Sequence, residues 1–305
     1  MHRVLHNVGF RVFLNILFLL YRIKSIVTIH KRNVPCIRSA ILFIFFIPSL
    51  GSASFEDMEV GARSSGLAGA VAALSQGSES LAYNPAALTP STPVDVLLSY
   101  NKPFSIPDLH NGCAAASFAF RKLRVGGLIH SFGNEAYQET QFAVSSAINL
   151  LDGVSGGIAL RYADLSITGY GHAGAFLIDV GSVARLSPFV QWGFVLKNVN
   201  YAHIGSSREP LPQIYATGVS LRPSEPVLLN VDVYKDCRFP LDVRCGVEYS
   251  PLPVLSLRTG VGNEPTRFCF GFSLHLKFIT FDYSVCHHTD LGLTHMMAVN
   301  IPGWR

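Results

Sequence analysis

Charge is scarce in this chain: only 14% of its 305 residues are Asp, Glu, Lys or Arg, against roughly a quarter in ordinary soluble domains. Long apolar runs are missing as well. No stretch of about 18 apolar residues occurs, so no segment reads as a membrane-spanning helix. Acidic residues are absent from positions 1–53, which hold seven Lys/Arg: Arg3, Arg11, Arg22, Lys24, Lys31, Arg32 and Arg38. The formal net charge of +4 therefore belongs to the start of the chain. Of 24 basic and 20 acidic residues, 17 and 20 remain after position 53, a formal −3. That balance offers no basic surface, and nucleic acid is excluded as a partner. Cysteine is sparse and irregular, with no CxxC, so neither a zinc site nor a dithiol redox motif is indicated. Five cysteines follow Cys36, and Cys237 and Cys245 flank one predicted hairpin, where a disulfide is conceivable.

Residues 1–53 read as an export leader. Two apolar runs, Val12 to Tyr21 and Ala40 to Leu50, are each too short to span comfortably. The second is preceded by Lys31, Arg32 and Arg38 and followed by Gly51-Ser52-Ala53-Ser54, the small-residue pattern of a signal-peptide cleavage site. Cleavage is expected after Ala53 or Ser54. The first run is superfluous to one signal peptide. Either the gene start is set too early, with the true start between Val27 and Val34, or the run is an uncleaved anchor.

What is present in abundance is alternation. From Val94 onward fourteen runs are separated by turn signals: 94–101, 112–121, 123–132, 138–149, 153–165, 172–184, 187–199, 213–222, 227–235, 241–250, 254–262, 267–277, 278–287 and 291–301. In the run from 267, the even positions are Phe268, Phe270, Phe272, Leu274 and Leu276. The odd ones are Arg267, Cys269, Gly271, Ser273 and His275. A strand sends alternate side chains to opposite faces, so each run has one apolar and one polar face. A soluble sandwich has the same period. Two features favour lipid outside instead. Aromatics fall near strand ends (Tyr249, Phe268, Phe278, Tyr283), as interfacial girdles require. The polar face carries Arg161, Asp232, Arg244, Glu248, Arg258 and Asp282, suited to a hydrated or plugged lumen. The fold expected is all-β: a transmembrane antiparallel barrel of about 14 strands over residues 94–305. Phe272 should then tolerate no arginine, whereas Ser273, facing the lumen, should accept one. The long loop Tyr201 to Gln213 holds Pro210 and Pro212 and should pack over a barrel mouth.

Residues 54–93 are different in kind. Gly61 to Leu88 is rich in small residues, nearly uncharged and without alternation. Leu67, Val71 and Leu74 have helical spacing and predict a short helix ending near Ser75-Gln76-Gly77. A Gly/Ala-rich surface loop is one reading. A compact non-strand segment just before a series of strands is also where a barrel keeps a luminal hatch. Tyr83-Asn84-Pro85-Ala86 marks its bend, because Pro85 lacks an amide and restricts Asn84.

Catalytic motifs fail on context. Gly169 to Gly174 matches GxGxxG but continues as a strand, not a helix. Gly153 to Gly157 matches GxSxG around Ser155, again without the strand–turn–helix of a nucleophile elbow. His287, His288 and His295 resemble a metal set, yet adjacent strand residues point apart. No catalytic residue, metal site or cofactor is assigned, and the chain is not read as an enzyme; an outer-membrane lipid hydrolase is the weakest alternative.

Taken together, Gly61-Ala62-Arg63, Gly66 to Ala70 and Leu81 to Leu88 resemble the amino-terminal segment of the PorV/PorQ family, within the FadL-like superfamily. Val195 to Val199, Arg208 to Pro212 and Gly218 to Ser220 resemble the middle of PorQ-like members. Phe281 to Ser284 with His288, Asp290 to Gly292 and Thr294-His295 resembles their last hairpin. The resemblance covers residues 58 to 301. It implies a fourteen-stranded barrel in the outer membrane of a Gram-negative bacterium, with Tyr83, Asn84, Pro85 and Ala86 in a luminal hatch. It also implies a role as a type IX secretion component that binds exported cargo, or as a FadL-like conduit; uptake of long-chain fatty acids or other hydrophobic molecules is the alternative. Lipid, the barrel-assembly machinery, and hydrophobic molecules or a secreted cargo protein are the partners it implies. The ending Ile301 to Arg305 departs from many barrels in lacking a terminal aromatic, Trp304 being penultimate.

Overall fold

The computed structural model describes residues 54–56, 59–74, 77–88, 93–120 and 123–302. The leader reading and the ending around Trp304 lie outside the described residues. Sixteen strands follow in chain order: β1 Val94–Lys102, β2 His110–Phe120, β3 Leu123–Gly133, β4 Tyr137–Leu151, β5 Val154–Ile167, β6 Gly171–Ser187, β7 Val190–Lys197, β8 His203–Ile204, β9 Glu209–Pro210, β10 Ile214–Ser224, β11 Val227–Asp236, β12 Asp242–Leu252, β13 Leu255–Asn263, β14 Thr266–His275, β15 Thr280–His288 and β16 Gly292–Pro302. Fourteen of them close into one antiparallel barrel, β16 pairing with β1, while β8 and β9 form a separate two-stranded ribbon. The fourteen alternating runs are these fourteen strands.

Which face turns inward distinguishes this barrel from a soluble one. On β14, Phe268 and Phe270 are 50% and 61% exposed, while Cys269 and Ser273 between and beyond them are 0% exposed. The apolar row faces out and the polar row faces in. Closure leaves no unpaired sheet edge, as a strand-built membrane protein requires. No helix among the described residues is long and apolar enough to cross a membrane.

The two ends differ. The connections around 152–153, 188–189, 225–226, 253–254 and 276–279 are tight, and β1 starts and β16 finishes at this turn end. The opposite, loop end carries 103–109 and the long 198–213 connection. That connection folds back over the mouth, where Ile204 and Leu211 bury against Phe55, Ala163 and Leu177.

Four local expectations are corrected. The helix expected over Leu67–Leu74 is absent; a helical turn occupies Ala62–Gly66 instead. Ala68 and Gly69 take positive φ (54° and 74°) and break the chain there, and Leu67, Val71 and Leu74 join one buried apolar cluster without a helix between them. Cys237 and Cys245 do not pair: both are free, Cys237 in the β11–β12 turn and Cys245 in the outward row of β12. The disulfide joins Cys269 to Cys286, direct partners on β14 and β15. Tyr283 lies mid-strand opposite Phe272 and Met297, away from an interfacial girdle, with its hydroxyl 2.7 Å from His295 Nδ1. Ser273 is no open luminal position: it is fully buried and bonded to Arg258 and Asp282, so an arginine has no space there.

Candidate functional site

The barrel interior is occupied by the chain's own residues 54–56, 59–74 and 77–88. At the loop end the Phe55 amide donates to Glu139 Oε1 (2.8 Å) and the Ser54 hydroxyl to Glu209 (3.2 Å). The turn Ala62–Gly66 lies against β13, β14, β15 and β16. Farther along, the Ala72 amide donates to Asp232 (2.7 Å) and the Ser78 amide to Asp95 (2.6 Å). The segment then leaves toward β1 at the turn end. Having no ladder of its own, it satisfies its backbone within its own turns, with wall carboxylates that accept from its amides and with wall arginines that donate to its carbonyls, which a buried irregular segment must do.

Close approach is possible because the facing wall residues lack side chains. A Cβ at Gly157 would stand 2.7 Å from Ala86 Cα, and one at Gly193 would stand 2.6 Å from Ala73 Cα, with still shorter approaches to neighbouring backbone. Small residues on both sides thus bring two backbones into contact.

Tyr83, Asn84, Pro85 and Ala86 come together at a junction. The Tyr83 hydroxyl accepts from the Val60 amide and donates to the Val60 carbonyl, both at 2.9 Å. Asn84 is fully buried. Its Nδ2 donates to Ala72 O at 2.7 Å and lies 3.4 Å from Ser182 O and Phe194 O on the wall, while its Oδ1 accepts from the Ala86 amide at 3.0 Å. Pro85 opens a short 3₁₀ turn, where its missing amide costs nothing. One side chain therefore ties two passes of the interior segment to β6 and β7.

The six polar wall residues all face inward, in four arrangements. Arg258 bridges Glu248 (2.6 Å) and Asp282 (3.2 Å), and Glu248 also receives Arg63 of the interior segment (2.9 Å). Arg161 pairs with Asp179 (2.6 Å). Arg244 pairs with Asp242 (2.7 Å) and lies over the Tyr234 ring at 3.6 Å. Asp232 holds the Ala72 amide instead of a cation. Sequence reasoning missed the partners Arg63, Glu79, Asp242 and Arg267. Asp242 and Arg267 stand in the polar rows of their strands, a signal that was available. Glu79 lies inside the segment, its carboxylate accepting from the Ser64 amide at 3.0 Å. Burial pushes its carboxyl up to about 7, against the bonds from Ser64 that favour the charge.

Two cavities open at the loop end on either side of the turn Ser80–Tyr83, one bordered by Tyr83 and the other by Ala82. The larger, about 210 Å³, is walled by Tyr83, Pro103, Phe104 and Met296, with Asn101, Asn111, Arg267 and His288 among its polar groups. The smaller, about 50 Å³, lies between Phe55, Val60, Leu128 and Ile214.

No family model and no curated protein matches this sequence. Solved structures do match. The toluene transporter TbuX of Ralstonia pickettii is similar with a TM-score of 0.61 at 12% identity, over 82% of this chain and 100% of that one. The toluene transporter TodX of Pseudomonas putida gives 0.58 at 10% identity, over 79% and 96%. A Pseudomonas aeruginosa FadL homologue gives 0.55 at 9% identity, over 80% and 98%. The fold is FadL-like.

Within this FadL-like barrel the other motifs do not converge. Ser155 is a β5 residue whose hydroxyl donates to Asn149 Oδ1 (2.9 Å). Gly171 to Gly174 opens β6 after a tight turn. His287 points outward, His288 stacks edge-on against Phe104 in the larger cavity, and His295 meets Tyr283.

Proposed function

We propose that this chain is an outer-membrane channel for small hydrophobic molecules, closed at rest by a hatch within residues 54–93. The observation that carries this reading is the 210 Å³ loop-end cavity, largely apolar and bordered by hatch residue Tyr83. An apolar cavity of about 150 Å³ accepts benzene in a protein interior, so this one has room for a monocyclic aromatic or a short acyl segment. The likeness in fold to proteins named toluene transporters agrees with it. Lipid surrounds the outward apolar rows. The loop end faces the outside and the turn end the periplasm, since outer-membrane barrels keep their short turns periplasmic. Ligand would enter at the loop end and pass when the hatch shifts away from Gly157 and Gly193.

Filling the cavity tests this. Met296→Trp should lower binding of labelled toluene or a fatty acid to the purified barrel at least tenfold while its heat-modified mobility is unchanged. Unaltered binding would place the ligand elsewhere. A PorV/PorQ-type secretion role is the second reading, favoured by how closely wall and hatch are bonded; it requires cargo protein to copurify with the barrel, and the conduit reading does not.

A further inference from the structure

The arginines at the two ends of the lumen are treated differently. Toward the loop end, Arg238 and Arg267 pair with Asp236 and Asp242, and deeper in the wall Arg161 and Arg244 pair with Asp179 and Asp242. At the turn end, Arg124, Arg185 and Arg222 have no carboxylate within ion-pair distance among the described residues. All three stand in inward rows, two residues beyond Gly126, Val183 and Ser220 respectively, whose positions face the hatch or are buried. The pairing register sets them along one arc. The Arg185 amide donates to Gly153 O (2.6 Å), Arg185 is the partner of Gln191, Gln191 of Ser220, and the Arg222 amide donates to Phe189 O (2.8 Å).

Two recesses open along this arc. One, about 340 Å³, is lined by Arg124, Asn149, Ser155, Arg185 and Gln191. The other, about 160 Å³, shares Arg185 and Gln191 and reaches Ser220 and Arg222. Asn149 Oδ1 accepts from both Arg124 (3.3 Å) and Ser155 (2.9 Å), which turns its amide N–H₂ to a different side as a donor. The acids in the turns at this end, Asp152 and Glu225, line neither recess. Buried Asp95 is bonded to Ser78.

We propose that these two adjoining recesses, which share Arg185, bind phosphoryl oxyanions, the larger between Arg124 and Arg185 and the smaller between Arg185 and Arg222. Two guanidinium groups lining one recess without counter-charge repel one another, and an anion between them relieves that repulsion. Guanidinium forks match the oxygens of phosphate in paired hydrogen bonds. A phosphoryl group near −2 at neutral pH also balances the two cations of a recess better than a carboxylate does. Asn149 and Ser155 add neutral donors or acceptors at the rim. The inference is independent of the conduit reading, because none of these residues borders the loop-end cavities.

The test uses the full barrel in detergent, titrated calorimetrically with inorganic phosphate, with hexanoate, and with micelles containing phosphatidylglycerol or phosphatidylcholine. Saturable phosphate binding is expected, weakened at least tenfold in Arg185→Gln and Arg222→Gln and less in Arg185→Lys. Heat-modified mobility reports that each variant remains folded. Binding of phosphate alone identifies a soluble ligand, and binding of phosphatidylglycerol over phosphatidylcholine identifies a lipid headgroup; both support the site. Three results would overturn it: no saturable binding of either, binding unchanged by the glutamine variants, or hexanoate binding as tightly as phosphate.

Discussion

Replacing Gly157 with valine sets the barrel wall against what it encloses. Gly157 lies in β5 opposite Ala147 and Gly181, and its inward side meets Pro85 and Ala86 of the interior segment. A new Cβ there would overlap backbone atoms, which cannot swing aside as a side-chain tip can. The strand itself gains, since glycine weakens strands and valine suits them. Overpacking costs about 1–3 kcal/mol, and valine, with three added carbons, belongs at the upper end. On the other side, the hydrogen bonds of Asn84 hold the junction at about 1 kcal/mol each. A change of about 3 kcal/mol shifts an equilibrium roughly 100-fold, enough to populate a displaced segment while the barrel persists. The assay is labelling of Ser80→Cys, a position 1% exposed, in a Cys237→Ser background that removes the exposed native thiol. Labelling should accelerate by one to two orders of magnitude with heat-modified mobility retained. Gly127→Val is the control, because its Cβ would meet only Ala143 O at 3.7 Å. Equal labelling of both variants, or none above the parent, would refute the packing argument.

Three other outcomes follow from the same geometry. Phe272→Arg puts a charge on the lipid-facing row and should reduce assembly by roughly 2–4 kcal/mol, whereas Ser273→Ala, which removes only a buried hydroxyl, should assemble with a loss of about 1–3 kcal/mol; membrane yield and urea midpoint distinguish them. The Glu79 carboxyl is raised from 4.5 unfolded to about 7 folded, so its protonated form is favoured. The stability it contributes is complete below pH 4.5 and lost as pH rises through 7; thermal midpoints of the parent should fall across that window and those of Glu79→Gln should not. Asn84→Leu leaves the Ala72 carbonyl without its 2.7 Å partner, a cost of about 1–3 kcal/mol, read as faster proteolysis of the segment within an intact barrel.

The wall was legible because a two-residue period is a local property: Phe268 to Leu276 announces its faces whatever surrounds it. The interior segment was not, because its conformation answers to distant groups. Leu67, Val71 and Leu74 keep helical spacing, yet Asp232, far along the chain, holds the Ala72 amide, and positive φ at Ala68 and Gly69 ends the turn before them. The disulfide was within reach. Cys269 and Cys286 lie on the polar faces of consecutive runs, equally far from the turn between them, and register alone makes them partners. Cys237 misled because a flanking position was equated with a strand position. The ion pairs were half visible: the inward charges could be read from alternation, but pairing Arg63 with Glu248 requires the segment to be inside.

Uptake of labelled toluene or a labelled long-chain fatty acid by intact Gram-negative cells tests channel activity most directly. Cells carrying this chain should accumulate label faster than matched cells without it, Gly157→Val should raise the rate further, and Met296→Trp should return it to background. Equal uptake with and without the chain, and no gain from Gly157→Val, would contradict a hydrophobic channel closed by its own amino-terminal segment.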